Sequence, residues 1–148
     1  MTEKYDLIFD AYKEYIENNS KYGARVVKYN NNTSTYFPLI TFIQSDNKDH
    51  SDKTLKNIDY FEDYYFTIDI YTKNKIIDGV TIASQVISKE LETLTANFFR
   101  SLNMYKTLNR PTPNLDTSIF RTTMQYQCVM GNRGNIIRRW NKWTILIV

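Results

Sequence analysis

The chain has 148 residues, enough for one hydrophobic core and short for two; 42% hydrophobic and 24% charged residues are ordinary for a globular protein. A single cysteine rules out an internal disulfide framework, and the N-terminal stretch carries acids throughout with no apolar run suited to a signal or membrane helix, so a cytoplasmic product is expected. The net charge of +3 conceals a split: residues 1–99 hold 11 Lys/Arg against 15 Asp/Glu, whereas residues 100–148 hold 8 against the single acid Asp116. That asymmetry points to an electrostatic partner for the C-terminal third, either nucleic acid or the acidic face of another copy, unless the bases are scattered over a solvated surface.

Thr2 to Asn18 predicts a helix: Thr2 can cap it, Glu3 and Asp6 suit its positive end, and Tyr5, Ile8, Phe9, Tyr12 and Ile16 form an apolar stripe. A short strand at Arg25–Tyr29 and a polar turn at Asn30–Ser34 follow, then a second strand, Tyr36–Gln44, with Pro38 near its start marking an edge or bulge. Ser45–Asn57 has one leucine in thirteen residues and no period, which predicts an exposed loop. From Tyr60 to Thr72 the period is two: Tyr64, Phe66, Ile68 and Ile70 fall on one side, and Asp63, Tyr65, Thr67, Asp69 and Tyr71 on the other. Ile76, Val80, Ala83, Ile87, Leu91, Leu94 and Phe98 then recur at three- and four-residue steps, predicting a helix capped by Asp78.

Pro111 and Pro113 make Asn103–Ser118 a second loop. Ile119–Met130 alternates again, with Phe120, Met124, Tyr126, Cys128 and Met130 on one side. The stretch 131–135 supplies turn residues, and a final strand, Ile136–Val148, completes a hairpin, with 140–148 a C-terminal strand or arm. The order α-β-β-β-α-β-β predicts a single α+β domain: a mainly antiparallel sheet of about five strands with two helices packed on one face.

Reactive chemistry is hard to place. His50 is the only histidine and sits in the most polar loop, and Cys128 falls on an apolar strand face, where a thiol packs as a small hydrophobe. Asp46, Asp49 and Asp52 lack the glycine turn and distal Glu of a calcium loop, and none of the four glycines begins a phosphate loop. The expectation is a protein without catalytic residue, metal or cofactor. Arg133, Arg138, Arg139 and Lys142 interleaved with Trp140 and Trp143 can bind a single strand by stacking and phosphate contact. On one strand, however, they fall on both faces, which suits an edge strand or arm docking on another subunit ahead of an ordinary surface, with nucleic acid last.

The opening amphipathic helix, the strand Phe37-Pro38-Leu39-Ile40, the long strand Tyr64–Thr72, the Ala/Ile/Val-striped helix and the later strand with Arg121 and Tyr126 resemble the tail terminator and tail-completion proteins of long-tailed bacteriophages. The likeness spans about Tyr5 to Met130. It implies a structural ring, usually of six copies, that caps the tail tube and joins it to the head-side connector, with genome DNA passing through the lumen and no membrane partner. It implies a place at the head-proximal end of the virion tail, after assembly in the bacterial cytoplasm. Strands would face neighbouring subunits, so Asp69, Tyr71 and Arg121, together with Arg133, Arg138, Arg139, Trp140, Lys142 and Trp143, are the candidate interface. The loops, represented by Asp46, Lys48, Asp49, His50, Lys53, Lys106 and Arg110, would meet the tube or connector. A head-completion adaptor or stopper ring and, from another class, a nucleic-acid-binding module using the basic third remain the alternatives.

Overall fold

A computed structural model of the chain describes residues 3–28, 36–49, 61–131, 135–137 and 143–145. It contains helix α1 (Glu3–Asn19), strands β1 (Arg25–Val27), β2 (Leu39–Asp49), β3 (Phe61–Thr72), β4 (Lys75–Ile77) and β5 (Val80–Ile82), helix α2 (Ser84–Ser101), and strands β6 (Tyr105–Thr112), β7 (Phe120–Gly131), β8 (Asn135–Ile137) and β9 (Trp143–Ile145). The architecture is α+β, as the sequence predicts: two helices lie against a mainly antiparallel sheet.

The sheet is built on β3, which pairs with β7 along its whole length, from Phe61↔Gly131 to Thr72↔Phe120. On the other side β3 pairs antiparallel with β2, and β2 takes β1 as a parallel neighbour. The far edge of β7 holds β6 along Arg121–Gln127 and β8 at Met130, with β9 beyond β8. Alternation in β3 and β7 sorts side chains cleanly. Tyr64, Phe66, Ile68, Ile70, Met124, Tyr126, Cys128 and Met130 are buried and face the helices.

α1 closes this core with its predicted stripe: Tyr5, Ile8, Tyr12 and Ile16 are fully buried. The Phe42 ring lies within 6.0 Å of those of Tyr5, Phe9, Tyr12, Phe66 and Phe99, a geometry that adds attraction beyond apolar burial. The hydroxyls of Tyr5 and Tyr12 find partners across the core, whereas that of Tyr126 is buried with no hydrogen-bond partner among the described residues. Tyr5 donates to the Phe42 carbonyl at 2.6 Å, and the Tyr12 hydroxyl meets Thr95 Oγ1 at 2.8 Å. Ser88 and Thr122, both buried, join α2 to β7 through hydroxyls 3.1 Å apart.

Four elements differ from expectation. The predicted helix start at Ile76–Ala83 is instead the hairpin β4–β5, whose turn residues Asp78 and Gly79 both have positive φ, 52° and 77°. Asp78 therefore forms the turn and does not cap α2; the first helical N–H, from Ser84, is accepted by Asn74 Oδ1 at 2.8 Å. Second, Ser45–Asp49 is strand, so Asp46, Lys48 and Asp49 lie on β2 opposite Tyr65, Asp63 and Glu62, after a bulge between Gln44 and Asp46. A polar sequence suffices there because β3 supplies the pairing. Third, Tyr105–Thr112 is a strand that carries Lys106 and Arg110; Pro111 is tolerated because β6 is an edge strand. Fourth, the expected last strand, Ile136–Val148, is replaced by the short β8 and β9, with Trp143 opening β9. His50, Lys53, Arg133, Arg138, Arg139, Trp140 and Lys142 lie outside the described residues.

Candidate functional site: the helix-free face of the sheet

Both helices sit on one face of the sheet, so the alternate residues of β2, β3, β7 and β6 form the other face. Register sets their rows. Leu39, Tyr71, Arg121 and Thr112 make one row across four strands; Thr41, Asp69, Thr123 and Arg110 make the next. The interface candidates Asp69, Tyr71 and Arg121 are thus brought side by side, and Arg110 joins them. Lys106 is opposite Tyr126, in a row that points to the helix side.

Asp69 organises the rows. Its side chain is 9% exposed, and Oδ1 accepts from Arg121 Nε at 3.2 Å and from Thr123 Oγ1 at 2.5 Å. Thr112 Oγ1 lies 2.6 Å from Thr123 Oγ1. Because Thr123 spends its one proton on Asp69, Thr112 must donate to Thr123. The result is a hydroxyl chain running from β6 through β7 to β3, each bond polarising the next. The Arg121 guanidinium sits 5.4 Å from the centre of the Tyr71 ring, and its hydrogen bond to Asp69 holds it still more firmly protonated than usual. A bulge between Lys106 and Leu108 lets Thr107 donate to Gln125 Oε1 at 3.0 Å, tying β6 to β7 again.

The side chains of this arrangement are already engaged with one another. The carboxylate is already paired, and the ring, guanidinium and hydroxyls sit on adjacent strands. Cys128 is buried on the opposite, helix-facing side. Among the described residues no group of three or more His, Cys, Asp or Glu is placed to hold a metal, and no helix is long and apolar enough to cross a membrane.

A second feature was missed at the sequence level. The α1–β1 turn and α2 enclose a groove of about 610 Å³ that includes Lys21, Tyr22, Val86, Lys89, Glu90 and Leu94. Lys75 Nζ donates to the Tyr22 carbonyl at 2.8 Å, fastening the base of the β4–β5 hairpin beside it. Ile76 and Val80 on that hairpin are 73% and 60% exposed. The Asp78-Gly79 pair was the available signal, since Asp-Gly between apolar residues favours a hairpin tip. No protein-family model matches the chain, and no characterised protein matches it at a significant level.

Proposed function

We propose that this chain is a structural subunit of a bacteriophage tail, assembling into a ring that closes the head-proximal end of the tail tube and meets the head-side connector. The observation that supports it most is the two-sided sheet. One face is filled by α1 and α2, while the other carries the ordered Asp69–Arg121–Tyr71 rows, with no helix over them among the described residues. A polar face that is already rigid before contact loses little entropy on docking, which favours a scaffold that works by fit. This stands beside the sequence resemblance over Tyr5 to Met130.

The test is negative-stain microscopy of the purified chain, alone and mixed with tail tubes. Rings with a central hole wide enough for duplex DNA, in solution or on tube ends, are the expected result; uniform monomers that ignore tubes would overturn the proposal. Removing Asn141–Val148 is expected to reduce rings to monomers in light scattering, and an unchanged ring would exclude that tail from the contact. Rings that cap portal complexes and not tubes would favour the head-completion role.

A further inference from the structure

We propose that the groove on α2 receives the exposed stripe of α1 from a second copy of this chain. The groove combines an apolar floor with a positive rim. Val86 is 54% exposed, Tyr22 and Leu94 are half-buried, and Lys21 and Lys89 are exposed with no ion pair among the described residues. The groove's one acid, Glu90, is committed to the α1–β1 turn: its two oxygens accept the Lys21 backbone N–H at 3.3 and 3.0 Å, and Oε1 also accepts from Ser20 Oγ. An occupant must therefore present acids around a small or apolar centre.

α1 presents that surface. Its buried stripe faces the core, and its opposite side exposes Asp10, Ala11 and Glu14, with neither acid in an ion pair among the described residues. Asp10 and Glu14 lie one turn apart, and Ala11 between them lets a partner approach closely. The two surfaces cannot meet within one chain, because α1 is already packed by its other side. The contact is therefore between copies, the acidic side of α1 laid along the groove and steered by opposite charge; repeated in one sense it runs head-to-tail. It rests on the ring reading only in taking the partner to be another copy.

The chain's single cysteine is buried, which makes cross-linking specific. A variant carrying Ala11→Cys and Val86→Cys, mildly oxidised, is expected to give a ladder of disulfide-linked dimers and larger species on a non-reducing gel. Each single-cysteine variant should give none. Adding Lys21→Glu and Lys89→Glu should lower the linked fraction by about tenfold, and further adding Asp10→Lys and Glu14→Lys should restore it. All six positions are exposed, and circular dichroism checks that each variant is folded. Absence of the ladder overturns the contact, as does a ladder indifferent to charge reversal or equal linking by one cysteine alone. Rings in micrographs without the ladder would sink this contact and spare the ring; a ladder without rings would do the reverse.

Discussion

Asp69 is nearly buried, yet it faces away from the helices, and this combination makes it the residue most sensitive to change on that face. Replacing it with Ala leaves Arg121 and the Thr112–Thr123 hydroxyls without their acceptor; replacing Arg121 with Ala leaves a buried carboxylate held by Thr123 alone. Each change is expected to cost about 1–3 kcal/mol in urea unfolding. The double variant should cost less than the two losses together, with a coupling on the order of 1 kcal/mol. Strict additivity would mean that the pair is not coupled in solution. These positions were legible in the sequence because strict alternation in Tyr60–Thr72 and Ile119–Met130 assigns each side chain a face. Their mutual contact was not, because it depends on the register between strands far apart in the chain.

At the scale of elements, the sequence was readable where local pattern and tertiary role agree. α1, β3 and β7 each bury one face and show the matching period, and their predicted core positions are buried except Phe120, which is half-buried at the start of β7. Reading failed where pairing is decided elsewhere. Ser45–Asp49 and Tyr105–Thr112 have the composition of loops, but a neighbouring strand gives their backbones partners. Ile76 and Val80 are four residues apart by coincidence, and the turn between them chose a hairpin. Gly79 carries that choice. A Cβ there would meet nothing within 4 Å, so the cost of Gly79→Ala is backbone strain at φ 77° alone. A loss of about 1 kcal/mol, a melting point lower by roughly 2–4 °C, is expected; an unchanged melt would show that the turn relaxes without strain.

For the molecule as a whole, the aromatic core sets the alkaline limit of stability. Burial pushes the Tyr5 and Tyr126 hydroxyls up to about 12 and Tyr12 higher still, whereas an unfolded tyrosine ionises near 10. Below about pH 10 both states keep these protons, and this contribution is fully present. As pH rises beyond 10 the unfolded chain releases them first, so stability falls until the folded hydroxyls also ionise near 12 and above. Urea midpoints are expected to be flat from pH 8 to 9.5 and to drop by pH 11. Tyrosinate absorbance should rise in a step as the chain unfolds at pH 11, and a midpoint independent of pH across that range would contradict the assignment. The β3–β7 pairing sets the order of events in folding. It unites Phe61 with Gly131 and Thr72 with Phe120 at the centre of the sheet, so β4, β5, α2 and β6 all lie in the loop that must close before it forms. That places a large loop entropy before the main gain in contacts, a high contact order that makes for slow folding, on the millisecond-to-second scale. A nascent chain ending before Phe120 would hold β3 with one side unpaired, and only synthesis of the last strands would seal it.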